Sequence, residues 1–232
     1  MEKNQYNLCL EILRRFHREK ILNNLILIGS WCVFFYKDYF SSESYIEHIA
    51  LKTRDMDFLI DAPGKIKHKI DVPELLKDLG FVVDFRGDKG YIKLNHPDLI
   101  LEFLVPEKGR GIDGPYRIPA LGINATALRF LDFLSSNTIK VKIEDFYLIL
   151  PHPANFALHK LIIFQRRTKK EKAEKDRSAA VEILKALISK GEAHIVKKVF
   201  GSVNRKWQNK IVKGLREAQE SDIEKMLTDK KP

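Results

Sequence analysis

Apolar positions recur along this chain in two rhythms, one of 3.6 residues and one of two. Residues 2–20 set Leu8, Ile12, Leu13 and Phe16 on one side of a helical wheel among charged neighbours, which predicts an amphipathic surface helix. Asn23 and Asn24 break it. Leu25–Ile28 then reads as a short strand ending at Gly29-Ser30, and Trp31–Phe40 is apolar and bulky enough for a buried helix. Ser41–Ser44 marks a loop. Arg54–Ile60 predicts a strand closed by Ala62-Pro63-Gly64. Val72–Leu79 predicts a short helix with Pro73 near its first turn and Gly80 at its stop.

Further along, Phe81–Arg86 and Tyr91–Asn95 flank Gly87-Asp88-Lys89-Gly90, a hairpin signal, and Leu99–Val105 is a third strand. Residues 106–119, rich in glycine and proline, are expected to form a functional or mobile loop. Residues 124–134 have a helical pattern, and Ile139–Ile143 and Phe146–Leu150 predict two more strands. Pro151-His152-Pro153 is a sharp break. Beyond it, residues 154–232 are helical in pattern and lysine-rich. The expectation is an α+β protein with an α/β core over 1–150, including the N-terminal helix, and a helical domain over 151–232.

Bulk properties narrow the function classes. A chain of 232 residues with 44% hydrophobic and 31% charged residues can bury a core without staples. Cys9 and Cys32 make no disulfide framework and no zinc spacing, which points to a reducing compartment. There is neither a signal-peptide pattern nor an apolar run long enough to cross a bilayer, so the expectation is a cytoplasmic protein with no membrane partner. The formal net charge of +10 suggests a polyanionic partner such as RNA, DNA or a nucleoside triphosphate, with solubility alone as the plain alternative. His152 and His159, seven apart, read as a polar flank and a helix surface.

Three features carry candidate chemistry. Gly29-Ser30 stands between a strand and a helix, where a phosphate can approach the backbone and meet free N–H groups; an ordinary serine-capped turn is the alternative. Asp55 and Asp57, two apart on a strand, project from one face while Met56 and Phe58 go to the other. Neighbouring carboxylates in an apolar strand repel each other, and a cation between them removes that cost; oxygen-only ligation suits magnesium. The alternative places Asp55 at the strand mouth and Asp57 as a cap. Glu102 interrupts the apolar run Leu99–Val105, and a lone charge there must be paired or ligating, unless the strand is an edge and Glu102 faces water. Asp98, after Pro97, is a solvated turn residue.

Taken together, Ile28-Gly29-Ser30, Asp55-Met56-Asp57-Phe58 and Leu101-Glu102-Phe103 resemble the motifs of the DNA polymerase β-type nucleotidyltransferase superfamily over roughly residues 21–180. The Thr-x-Asp-x-Asp form of Thr53–Asp57 is similar to the branch that contains abortive-infection toxin nucleotidyltransferases. The resemblance implies the minimal nucleotidyltransferase fold, a mixed sheet flanked by helices. It implies two Mg2+ ions, with Mn2+ as a substitute, held by Asp55, Asp57 and Glu102. The substrate it implies is an NTP and the acceptor a hydroxyl, with RNA as one candidate and an antitoxin protein as a candidate partner. It also implies nucleotide or phosphate binding by Gly29, Ser30, Lys160, Lys172 and Asp176, with Lys160 the best match and Lys175 a further candidate beside Lys172. The plain reading of that last group is a solvated basic helix face. Residues 31–54 form a longer spacer than the family pattern has, and Trp31 reads as a core anchor, with stacking on a base as the alternative. The alternative function is an inactive nucleotidyltransferase-fold module that binds nucleic acid or a partner protein.

Overall fold

A computed structural model describes residues 3–40, 53–107, 109, 111 and 113–229. The loop expected at Ser41–Ser44 and the rest of the spacer up to residue 52 lie outside the described residues. The chain forms two compact units, one ending at Pro151 and the other starting at His152, with Phe40 grouped with the second.

The first unit is built on a mixed sheet. Helix α1 (Lys3–Arg18) leads into strand β1 (Ile26–Ile28), followed by helices α2 (Ser30–Phe35) and α3 (Lys37–Phe40), which are separated at Tyr36 where the sequence suggested one helix. Strand β2 (Asp55–Leu59) and helix α4 (Val72–Leu76) come next. The carboxylate of Asp71 caps α4 by accepting the Glu74 N–H at 3.0 Å. Strands β3 (Val82–Arg86), β4 (Tyr91–Asn95), β5 (Ile100–Pro106), β6 (Tyr116–Ile118) and β7 (Ile123–Leu128), helix α5 (Asp132–Ser135), and strands β8 (Thr138–Ile143) and β9 (Phe146–Pro151) complete the unit. The strand order is β3-β4-β5-β2-β1-β9-β8, with β7 paired to β5 and β6 to β7.

Period-two alternation sorts the central strands into two faces. Met56, Phe58, Leu101 and Phe103 are buried on one of them. Phe58 stacks on Phe103 at 5.9 Å, and Phe16 of α1 meets Phe58 edge-on at 5.5 Å, so the amphipathic helix covers this face. The opposite face carries Asp55, Asp57 and Glu102.

Two expectations fail here. Residues 124–134 are not one helix, because Ile123–Leu128 is strand β7. Ala125 and Ala127 favour helix intrinsically, but β4 pairs with β5 only as far as Leu94↔Leu101, and the vacated edge of β5 takes β7 through Leu104↔Thr126. The expected loop 106–119 contains β6, which pairs with β7 through Tyr116↔Ala125.

The second unit is helical, with α6 (Pro153–Ile163), α7 (Lys170–Ser189), α8 (Ala193–Ser202), α9 (Arg205–Glu217) and α10 (Ser221–Thr228). Helix α6 is its centre, buried from Pro153 to Ile162. His152 caps it, Nδ1 accepting the Ala154 N–H at 3.1 Å. Gly214 lets α9 approach closely, since a Cβ there would lie 2.8 Å from Phe164 Cε1. Among the described residues no helix is long and apolar enough to cross a membrane.

Candidate active site

The acidic face is assembled by strand register. β1 runs antiparallel to β2 and pairs Ile28 with Asp57; β2 runs parallel to β5 and pairs Asp57 with Glu102, and Asp55 with Ile100. Partners across a ladder share a face. The backbone therefore carries all three sequence-predicted carboxylates onto one side of adjacent strands. β5 lies between β2 on one side and β4 and β7 on the other, so the reading of Glu102 on an edge strand does not apply. Asp55 begins β2, where its N–H donates to Thr53 Oγ1 at 3.3 Å, and Asp57 sits at its middle.

Gly29 is built to this site. Its φ of +76° belongs to the left-handed half of backbone space. A Cβ at this position would lie 2.5 Å from Asp57 Oδ2. A Cβ here would force that carboxylate to turn away, and the positive φ would strain any side chain, so glycine lets the Asp57 carboxylate lie against the backbone. Ser30 follows as the first residue of α2. Trp31 is fully buried against Phe34 and Phe35, as a core anchor. Its indole N–H finds no hydrogen-bond partner among the described residues.

Glu102 has two polar partners that the sequence reading missed. Lys93 Nζ donates to Oε2 at 2.8 Å, and Thr126 Oγ1 donates to Oε1 at 3.4 Å. Both pairings follow from register. Leu94 opposite Leu101 sends Lys93 to the face of Glu102, and Thr126 opposite Leu104 shares that face. Lys93 was open to discovery through the alternation Tyr91-Ile92-Lys93-Leu94-Asn95, whereas Thr126 was hidden by the helical reading of its segment. The lone charge in an apolar strand is therefore paired. Among the described residues no three His, Cys, Asp or Glu side chains converge in a group that could hold a metal ion. The donor set nonetheless fits a hard cation, since it consists of carboxylate oxygens on one face beside the side-chain-free backbone of Gly29.

The second unit holds the other predicted residues. Lys160 of α6 and Asp176 of α7 form a buried ion pair, and Arg167 Nε donates to Asp176 Oδ2 at 2.8 Å. Burial pushes the Asp176 carboxyl upward, but the charges and hydrogen bonds of Lys160 and Arg167 outweigh it and hold it below the usual range. One carboxylate shared by two cations leaves a single net positive charge, and Arg167 is its more exposed bearer. No pattern in the sequence singled out Arg167. Lys172 is exposed on α7. His159 corrects an expectation: it is buried, not on a helix surface, because α6 is covered on all sides. Burial first, then the neighbouring Lys160, push its imidazole down to about 3, and Nε2 has no hydrogen-bond partner among the described residues.

A family model described as "Nucleotidyltransferase" matches residues 7–200. No curated protein matches the sequence significantly. Among solved structures, the antibiotic-resistance factor ANT(2'')-Ia is similar at 13% identity with a TM-score of 0.46, over 95% of this chain and 100% of that one. An antigenic nucleotidyltransferase-like protein from Paracoccidioides brasiliensis is similar at 10% identity with a TM-score of 0.49, over 94% of this chain and 92% of that one.

Proposed function

The chain belongs to the nucleotidyltransferase family, and we propose that it moves a nucleoside monophosphate from an NTP to an acceptor hydroxyl, with release of pyrophosphate, on the acidic face of its sheet. The observation that carries this reading is the register Ile28↔Asp57↔Glu102 with Gly29 pressed against the Asp57 carboxylate. It joins the glycine turn and two of the acids into one place.

In this proposal Asp55, Asp57 and Glu102 hold Mg2+, as two ions, with Mn2+ as a working substitute. The bound ions would neutralise the triphosphate and lower the pKa of the acceptor hydroxyl. The backbone at Gly29 lets phosphate oxygens approach without a Cβ in the way, and the Ser30 hydroxyl offers them a donor. Asp57 fixes the reacting end by its position at the middle of β2. Glu102 is assigned as the acceptor of the attacking hydroxyl's proton. On the resemblance of their helices to the family pattern, Lys160, Lys172 and Asp176 are assigned to the nucleotide site, Lys160 and Asp176 through the geometry their buried pair fixes. RNA is the acceptor favoured here, supported by the net charge of +10. A toxin role and an antitoxin partner rest on the form of Thr53–Asp57 alone.

The test is incubation with each labelled NTP and magnesium, with pyrophosphate release and labelled product as readouts. Wild type is expected to turn over. Asp57→Asn is expected to abolish transfer with an unchanged melting temperature. Transfer at near wild-type rate in that variant would refute the site, and triphosphate binding with no pyrophosphate release by wild type would favour an inactive binding module.

A further inference from the structure

The charges on the acidic face do not end at the carboxylates. Asp57 and Glu102 are register partners on β2 and β5, Lys93 of β4 reaches Glu102, and Lys93 is itself the register partner of Asp84 on β3. Asp57, Glu102, Lys93 and Asp84 thus form a row across four strands, with one ammonium between two carboxylates. Direct cross-strand partners stand with Cβ atoms about 4.5–5.5 Å apart, within the reach of a lysine side chain in either direction. The ammonium sits on Glu102, at 2.8 Å, while Asp84 Oδ2 is taken by Asn95 Nδ2 at 2.6 Å and by Arg86 Nε at 2.7 Å.

We propose that Lys93 is a resident counter-ion of the site: it holds Glu102 until a divalent cation arrives with the nucleotide, and then moves across the β3–β4 ladder to Asp84. The proposal rests on the reading of Asp55, Asp57 and Glu102 as metal ligands. Several observations support the exchange. Lys93 and Glu102 are half-buried, with side chains 29% and 22% exposed, so neither is locked in place by packing. Lysine is a compact point charge on a flexible stem, suited to swapping one carboxylate for another, whereas arginine would grip in a fixed fork. Arg86, which shares Asp84, is mostly exposed and can turn to water when the ammonium arrives. A lysine on Glu102 offsets the repulsion among three carboxylates in the empty site, and it also opposes a free cation. Metal alone then binds weakly, and metal bound to a triphosphate brings the extra contacts needed to displace the ammonium. The same release frees the Glu102 oxygen that the proposed chemistry uses as proton acceptor.

The experiment is Mn2+ binding measured by electron paramagnetic resonance on the full chain, without and with a non-hydrolysable triphosphate. Lys93→Gln is expected to bind Mn2+ alone about tenfold or more tightly than wild type, and to lose most of the gain that triphosphate gives the wild type. Asp84→Asn removes the landing place and is expected to weaken Mn2+ binding in the wild-type background. It should have no further effect in Lys93→Gln. Unchanged or weaker Mn2+ binding in Lys93→Gln overturns the proposal while leaving the metal site standing. So does a gain that survives in the Lys93→Gln/Glu102→Gln double variant, because it would then be a general field effect. Absence of Mn2+ binding from every variant, with triphosphate present, removes the metal reading itself and this proposal with it. Circular dichroism of each variant checks the fold, and the double-variant comparison keeps the test intact if one single variant is poorly folded.

Discussion

Lys160–Asp176 in the helical unit and Lys93–Glu102 in the sheet unit are both lysine–carboxylate pairs, and they differ in burial. Lys160 and Asp176 are 8% and 7% exposed at their side chains, whereas Lys93 and Glu102 are 29% and 22% exposed. The first pair is sealed between α6 and α7 with Arg167 as a third member; the second is half-buried on the acidic face of the sheet. A sealed pair cannot be dissolved cheaply, because each partner would be left charged in a medium that solvates it poorly. A half-open pair can exchange its partner for water, for another carboxylate or for a metal ion. Identical chemistry thus serves as a fixed joint in one unit and as a replaceable contact in the other.

The sharpest way to break this comparison is to remove one member of the sealed pair. Asp176→Asn leaves the Lys160 ammonium buried without a counter-charge, and the expected loss is about 3–5 kcal/mol of stability. Urea unfolding measures it. Replacing both partners, as Lys160→Met/Asp176→Leu, is expected to recover most of the loss, since no charge is then stranded. A single-variant loss no larger than that of a surface pair would show that the burial is not enforced and would erase the contrast.

A smaller effect comes from the neighbour of that pair. His159 titrates near 6.5 when unfolded and at about 3 in the fold, so the fold keeps it neutral. Below pH 6.5 the unfolded chain takes up a proton that the folded chain refuses, and stability falls as pH falls. The slope is about 1.4 kcal/mol per pH unit within that window. His152, also held below its ordinary value by burial, adds in the same direction. Asp176, whose carboxyl is held low, loses its contribution only at more acid pH, as its own proton goes on. Urea midpoints at neutral and mildly acid pH are expected to differ less in His159→Leu than in wild type, by about one proton's worth. Equal pH dependence in the two proteins would place the acid sensitivity elsewhere.

How much of this was legible in the sequence depends on which interactions fixed each element. Strand β2 declared itself by alternation and β5 by its continuous apolar run, in which Glu102 stood out as Asp55 and Asp57 did in β2. Helix α1 was legible because its apolar stripe is periodic. Strand β7 was not, because Ile123–Leu128 contains two alanines and folds as a strand only when β5 presents an unpaired edge, a fact of tertiary pairing. Lys93 was visible as one more charged residue in a hairpin. Its meaning depends on the register Leu94↔Leu101, which decides which strand it faces. His159 was misplaced for a related reason: a lone imidazole in the run from Pro153 to Ile163 looks like a surface residue until the helix is seen to be enclosed.

The smallest expected effect completes the contrast and concerns Lys93 itself. In Lys93→Gln, Glu102 keeps the Thr126 hydroxyl and gains water, since its side chain is 22% exposed. The cost is repulsion among three carboxylates on one face, softened by solvent, and the expected loss in the absence of metal is under about 1 kcal/mol. Added salt screens that repulsion, so the small difference from wild type should shrink further as ionic strength rises. Urea unfolding at low and high salt reads both quantities. Divalent cations should reverse the order, stabilising Lys93→Gln more than wild type, because a ligand that binds only the folded state adds stability in proportion to its affinity for that state. A loss in Lys93→Gln as large as that in Asp176→Asn, insensitive to salt, would make the open pair as structural as the sealed one. The difference in exposure between the two would then carry no functional meaning.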